Sequence, residues 1–283
     1  MPLVATAELI ASAAKRGGGV AAFNVITLEH AEGIVAGAQR MSVPVILQVS
    51  ENTVAFHGGL RPVSAALVAL ATDAGVPVGL HLDHVEARNL WEQAAAAGYS
   101  SAMVDGGALP YDGNVAVTAE AATLLHGQGL AVEAELGYVG GKDSQATNAH
   151  SPGVRTDPRQ AAEFVHATGV DALAVAVGSS HAMTTRTAEL DVDLVAALRD
   201  AVPVPLVLHG SSGVPDDTLR AAVRAGIVKV NVGTALNIAY TGALRTALTA
   251  DGGTEVTDPR RALRSARAAI ADTVAHLLDV VSG

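Results

Sequence analysis

What most constrains the fold of this chain is a period that runs through almost its whole length, in which a short apolar, β-branched run is followed by a longer stretch with helical spacing. The apolar runs lie at 19–25, 44–50, 77–83, 101–106, 131–137, 172–178, 205–210 and 227–232. Each is bounded by Gly, Pro or polar residues and is apolar nearly throughout, as expected of strands covered on both faces. Between them, 28–41, 62–74, 88–97, 114–126, 158–168, 192–200 and 215–225 read as helices. Asp157-Pro158 and Asp191 supply helix start signals, while Gly75, Gly98, Gly127, Gly169 and Gly226 stand where a left-handed cap would end a helix. Further helices are expected at 6–15, 235–250 and 258–280, the last two parted by the turn Asp251-Gly252-Gly253-Thr254, which is too short to link domains.

Eight such strands alternating with helices predict an α/β fold, a parallel sheet closed into a (β/α)8 TIM barrel, as one domain over 1–283. An open doubly wound sheet would usually carry a Gly-rich phosphate fingerprint directly after its first strand. Here Gly17-Gly18-Gly19 precedes that strand, and no G-x-x-x-x-G-K-[ST] loop occurs. A chain that is 49% hydrophobic and 16% charged suits the large core a barrel needs.

The barrel makes a sharp demand, that reactive groups collect at the C-terminal ends of the strands. Following each strand to its end gives Asn24, then Ser50 and Glu51, then Asp83 and His84, Asp105, Glu133 and Glu135, His181, His209 and Asn231. A single histidine there would ordinarily be structural. Three of them, His84, His181 and His209, with carboxylates on neighbouring strands, make the donor set of a zinc site that keeps a position open. Of the 10 histidines, His30, His126, His166 and His276 fall in helices and His57 and His150 in polar loops, which reads as packing or surface. His81 shares a strand face with Asp83 and reads either as an outer-shell partner of the site or as barrel filling.

Gly210-Ser211-Ser212-Gly213 after the seventh strand and Asn231-Val232-Gly233-Thr234 after the eighth resemble an anion cradle. Small residues let backbone N–H groups approach a phosphate, and a helix N-terminus adds favourable partial charge. The plainer alternative is a pair of ordinary βα turns.

Other classes are excluded more simply. A net charge of −10 gives no nucleic-acid footprint. The absence of cysteine removes disulfides, thiolate zinc sites and cysteine nucleophiles. The N-terminus lacks a charged and then apolar leader, and no run of about 20 apolar residues occurs. The expectation is a cytoplasmic protein with neither nucleic acid nor membrane as partner.

Ala22-Phe23-Asn24, His81-Leu82-Asp83-His84, the stretches 101–106, 132–137 with Gly140-Gly141, 168–178 and 206–210, and Lys229-Val230-Asn231-Val232 occur in one order across nearly the whole chain. In this the chain resembles the class II, metal-dependent ketose-bisphosphate aldolases, especially the tagatose-bisphosphate and short fructose-bisphosphate branch. The resemblance implies that His84, His181 and His209 bind a catalytic zinc ion, with Asp105 and Glu135 at a secondary metal position. It implies Asp83 as general acid and base on the oxygen of the aldehyde half, and Asn231 as the residue holding the enediolate. Asn24, Ser50, Gly178, Ala182, Gly210, Ser211, Ser212, Val232, Gly233 and Thr234 would contact the sugar phosphate, with a monovalent cation, Na+ or K+, nearby. Arg260 would meet the second phosphate across the subunit interface of a homodimer or homotetramer.

The chemistry fits these parts. Breaking the C3–C4 bond of a ketose leaves a carbanion beside a ketone, and a Lewis acid on the C2 and C3 oxygens spreads that charge into an enediolate. A Schiff-base lysine would serve as well, but Lys15, Lys142 and Lys229 are the only lysines, and only Lys229, in the eighth strand, is placed to compete. The chain departs from the family pattern in three places. Lys142-Asp143-Ser144 replaces an acidic loop whose glutamate shuttles the carbanion proton, leaving Asp143 as the nearest match. Ala182 stands where glycine is usual, and Met183-Thr184-Thr185 where a tyrosine often follows. The implied reaction is cleavage of fructose 1,6- or tagatose 1,6-bisphosphate to dihydroxyacetone phosphate and glyceraldehyde 3-phosphate. The alternatives are the same chemistry on another aldehyde, as with 6-phospho-5-dehydro-2-deoxygluconate, and a non-catalytic relative that only binds metal or sugar phosphate.

Overall fold

The computed structural model describes residues 2–137, 139, 155–249 and 257–282. Eight parallel strands close on themselves in sequence order. They are β1 (Val20–Asn24), β2 (Val45–Ser50), β3 (Val78–Val85), β4 (Ser101–Val104), β5 (Ala131–Leu136), β6 (Ala172–Val175), β7 (Leu206–Leu208) and β8 (Ile227–Val232). The ring is sealed by β8 against β1, with Ala22 opposite Asn231. Apolar residues on the outer strand faces pack under the helices, while the inner faces carry several buried polar side chains, Gln48, His81, Glu133 and Lys229 among them. The single-barrel expectation is met.

The helices are α1 (Thr6–Lys15), α2 (Leu28–Met41), α3 (Glu51–Phe56), α4 (Leu60–Asp73), α5 (Arg88–Gln93), α6 (Tyr111–Gly127), α7 (Pro158–Thr168), α8 (Val192–Ala201), α9 (Asp216–Ala225), α10 (Thr234–Thr249) and α11 (Arg260–Ser282). None of the described helices is long and apolar enough to cross a membrane. α1 lies across the N-terminal end of the barrel, where the Thr6 hydroxyl donates to the Leu80 carbonyl at 3.2 Å. The short α3 was not expected, because it begins directly at the end of β2; Ser50 caps it, its Oγ accepting from the Thr53 N–H at 3.3 Å.

Two expected glycine caps are corrected. α6 runs through Gly127, and the left-handed residue is Gly129, with the Leu130 N–H returning to Leu125 O at 3.0 Å and the Gly129 N–H to His126 O at 2.9 Å. That paired closure fixes the cap two residues later than the sequence suggests. α4 ends at Ala74 in extended conformation, so Gly75 caps nothing and instead donates its N–H to Gln39 Oε1 at 2.7 Å. Gly98, Gly169 and Gly226 have positive φ as expected. The turn at 251–254 and the loop carrying Asp143 lie outside the described residues.

α2 and α11 approach so closely that no side chain fits on α2 at Gly33 or Gly37. A Cβ on Gly37 would stand 2.7 Å from Ala271 O and 2.8 Å from Val274 Cβ. Gly37→Ala is therefore expected to destabilise the barrel by about 1–3 kcal/mol despite alanine's better helix propensity, because a rigid backbone oxygen must move. A thermal melt at or above wild type would show that the contact yields freely.

Candidate active site

All the barrel's strands run toward one mouth, and a cavity of about 640 Å³ opens there. Asp83 and His84 are consecutive, so an unbroken strand would point them to opposite faces. A register shift in the β3–β4 pairing between Leu82 and Val85, together with a left-handed backbone at His84 (φ 49°), lets both line the cavity. A non-glycine residue in that conformation is held there by its surroundings. His181 arrives on the loop after β6, followed by Ala182 with φ 58°, which explains why glycine would be at ease at that position. His209 follows β7 directly. The loops after β6 and β7 touch, since a Cβ on Gly210 would lie 2.6 Å from the Ser180 carbonyl.

The three imidazoles converge, with ring centroids 5.1 Å apart for His84 and His181, 4.8 Å for His84 and His209, and 5.7 Å for His181 and His209. Glu135 joins them, and the four potential donor atoms all lie within 4.8 Å of one another. Outer groups orient the rings. Asp105 Oδ2 is 2.8 Å from His84 Nδ1, which leaves Nε2 toward the cluster. Glu133 Oε1 is 3.1 Å from His209 Nε2, which leaves Nδ1 facing Glu135 Oε2 at 2.7 Å. Three imidazoles and one carboxylate, with further carboxylates behind the His84 and His209 rings, fit a divalent ion. Asp105 thus sits behind His84 in this structure, while Glu135 stands among the histidines.

The electrostatics match such a site. Burial alone would depress the His209 imidazolium, but hydrogen bonds to Glu133 and Glu135 push its pKa up to about 9. Burial likewise favours the neutral acids of Glu133 and Glu135; Lys229 and the histidines outweigh it for Glu133, as the histidines do for Glu135, and hold both below the usual carboxylate range. A cation is wanted between these carboxylates. A metal ion bound there would supply it in place of a proton on His209.

Asp83 is 2% exposed. Its Oδ2 accepts from Asn24 Nδ2 at 2.9 Å and more distantly from Gln48 Nε2 at 3.4 Å, and Gln48 also donates to Asn24 Oδ1 at 2.9 Å. Oδ1 is buried with no hydrogen-bond partner. Burial works against its ionisation, yet the charges of His84, Lys229, His81 and His209 hold its pKa down to about 2, so it rests as a carboxylate. One oxygen is held and one is free to react.

Asn231 also lines the cavity, and its Oδ1 accepts from Lys229 Nζ at 2.8 Å. Lys229 is itself wholly buried and paired with Glu133 at 2.8 Å. It does not line the cavity, and its ammonium is held by both Glu133 and Asn231, which speaks against the rival reading of a Schiff-base nucleophile.

Of the expected phosphate contacts, Gly210, Ser212, Gly233 and Thr234 line the cavity with Asn24, Ser50 and Ala182. The Ser212 hydroxyl accepts the Ala235 N–H at 3.0 Å and so ties the loop after β7 to the start of α10. Ser211 turns inward, donating to Leu208 O at 3.2 Å, and Val232 is buried in β8. Gly178 lies outside the lining, pressed so close to Glu189 O that a Cβ would be 2.1 Å away. Arg260 is 82% exposed at the start of α11, paired with Asp258, and does not reach the cavity within one chain. Asp143 lies outside the described residues.

Gln48 was missed by sequence reasoning. The available signal was an amide in the middle of an otherwise apolar strand, in register with Asn24 on β1 and His81 on β3.

Comparison with known proteins agrees with this geometry. The family described as class-II fructose-bisphosphate aldolase matches residues 4–283. The YdjI aldolase of Escherichia coli K12 is 32% identical, with 99% of this chain and 97% of that one covered and a TM-score of 0.85. A candidate fructose-1,6-biphosphate aldolase of Coccidioides immitis is 27% identical over 98% and 95% of the two chains, at a TM-score of 0.85. The fructose-bisphosphate aldolase Fba of Campylobacter jejuni, 22% identical over 99% and 95%, shares the fold at a TM-score of 0.82. A barrel mouth that gathers three histidines, a glutamate and a half-free aspartate thus agrees with a match spanning nearly the whole chain: the protein belongs to the class II fructose-bisphosphate aldolase family and is a metal-dependent aldolase.

Proposed function

We propose that the protein catalyses reversible, zinc-dependent retro-aldol cleavage of a ketose bisphosphate, fructose 1,6- or tagatose 1,6-bisphosphate, to dihydroxyacetone phosphate and glyceraldehyde 3-phosphate. The observation that carries this reading is the placement of Asp83, with its unpartnered Oδ1, beside His84 and His181 in the cavity wall, where those two rings meet His209 and Glu135 in one donor cluster. A divalent ion on that donor set supplies Lewis acidity toward the substrate's carbonyl side.

The chain's own groups account for the remaining steps. Asp83 Oδ1 takes the proton of the C4 hydroxyl; the O–H pair forms the aldehyde C=O, and the C3–C4 pair moves onto the ketone half as an enediolate. Asn231, whose oxygen is held by Lys229, turns its Nδ2 hydrogens to the oxyanion. The loops of Gly210, Ser212, Gly233 and Thr234, with the N-terminus of α10, bind the phosphate, with Na+ or K+ beside it. Asp143 returns a proton to C3. Arg260 acts from a neighbouring copy in a homodimer or homotetramer, and the reaction is cytoplasmic.

One observation favours a second reading, the same cleavage with an unphosphorylated aldehyde half. No Lys or Arg is among the described residues lining the cavity, whose rim carries Glu51, Glu86 and the 70% exposed Phe56. Both readings are tested by metal analysis coupled to a retro-aldol assay on fructose 1,6-bisphosphate, tagatose 1,6-bisphosphate and fructose 1-phosphate. Chelation is expected to abolish cleavage and zinc to restore it. Full activity after exhaustive chelation would overturn the metal mechanism, and a higher kcat/KM on the 1-phosphate would select the second reading.

A further inference from the structure

Beneath the cavity floor lies an ionic group that touches no substrate in the reaction as written. Lys229 on β8 is 0% exposed, and its ammonium donates both to Glu133 Oε2 and to Asn231 Oδ1, each at 2.8 Å. Glu133 on β5 is 2% exposed, and its other oxygen lies 3.1 Å from His209 Nε2. Removing an ammonium and a carboxylate from water is costly unless their remaining hydrogen-bonding capacity is satisfied. Here that capacity is spent on two residues of the site, one at the metal cluster and one at the cavity wall.

The consequence of each bond is directional. An asparagine amide can sit either way round in its slot. With the Lys229 ammonium against one end, the oxygen must occupy that end, so both Nδ2 hydrogens face the cavity. The flipped amide would set NH2 against NH3+ and present a carbonyl oxygen to the developing oxyanion. Glu133 does the same for His209, since a carboxylate at Nε2 leaves Nδ1 for the donor cluster. We propose that Lys229 is a positioning residue for both halves of the site: it orients the Asn231 amide directly, and it holds the Glu133 carboxylate that orients His209. The part concerning Asn231 rests on the aldolase reading above, whereas the part concerning His209 does not.

The test uses the full-length enzyme. Lys229→Met removes the ammonium at similar length, and the Lys229→Met/Glu133→Gln pair removes it without stranding a buried carboxylate, so that a folded protein remains to be measured. With zinc in excess, positioning predicts that kcat falls about 10²–10³-fold in both variants, as for loss of an oxyanion donor, with a much smaller change in KM. In an Asn231→Ala background, Lys229→Met is expected to cost less than threefold further, because the residue it orients is already gone. Competition with a chromophoric chelator is expected to show zinc bound about 10–100-fold more weakly by Lys229→Met, which keeps the Glu133 carboxylate but no longer holds it, whether or not any ketose phosphate is cleaved.

If Lys229 only neutralises Glu133, the charge-balanced pair regains wild-type kcat and Lys229→Met alone keeps wild-type zinc affinity, and that result would overturn the proposal. A full multiplicative loss on top of Asn231→Ala would equally remove the route through that amide. Wild-type enzyme inactive on every ketose phosphate, but with the zinc shift present in Lys229→Met, would sink the functional reading while leaving the His209 half standing.

Discussion

His209→Ala is expected to lose bound metal and cleavage together, with metal affinity down by more than the roughly 10–100-fold typical of losing an outer-shell partner, and turnover down at least about a thousandfold. The expectation follows from what the ring touches. His209 is wholly buried and lies within hydrogen-bonding distance of Glu133 at one nitrogen and Glu135 at the other, so it is both a donor and the group that separates two carboxylates. Its removal takes away the group between the two carboxylates, so that Glu135 loses its imidazole partner while Glu133 keeps Lys229, a loss on the order of 3–5 kcal/mol for a broken buried pair. His209→Gln keeps a polar group in place and separates loss of ligation from loss of fold. Metal content by elemental analysis, read beside a thermal melt, decides the matter: a folded variant holding wild-type metal would refute the assignment of His209 as a ligand.

Asp83→Ala is expected to lower kcat by about 10²–10⁴-fold, the range for removing a positioned general acid–base, while metal content stays at the wild-type level. Asp83 is outside the four-residue donor cluster, so the two effects separate here, in contrast to His209. Proton exchange at C3 of dihydroxyacetone phosphate should also survive, because that proton is assigned to a different residue. Turnover within tenfold of wild type would clear Asp83 of the role. Loss of metal in a folded variant would show instead that Asp83 ligates. The depressed pKa, about 2, adds that Asp83 enters the cleavage direction already ionised at neutral pH, so an acidic limb in the rate profile should arise elsewhere.

The barrel was legible because the eight strands are largely apolar and most of their reactive residues gather toward one end, a pattern few other folds impose. The histidines were legible for the same reason, since each closes a strand or opens its following loop. The Lys229–Glu133 contact was not legible. Those residues stand on β8 and β5, which are not neighbours, and they meet only because the sheet closes across its own interior. The difference between Asp105, behind a ring, and Glu135, among the rings, depends on directions that residue type does not encode. Arg260 shows the opposite limit, because the motif that marks it is also satisfied locally by its bond to Asp258 two residues earlier. α3 escaped notice because Ser50 serves as the last residue of β2 and the cap of the next helix at once, leaving no interval between the two patterns.

The closeness of α2 and α11 has a bearing on how the molecule is made. α11 ends at Ser282 and lies against a helix that begins at Leu28, while β8 completes the ring against β1, so the first-synthesised quarter of the chain waits for the last. During translation the growing polypeptide therefore carries an open sheet edge on β1 until β8 is made, and an uncovered groove at Gly33 and Gly37 until α11 is made. Such an intermediate is exposed to aggregation for the whole of synthesis. The narrow glycine groove, which admits a tightly apposed helix and little else, makes the final docking step selective as well as late.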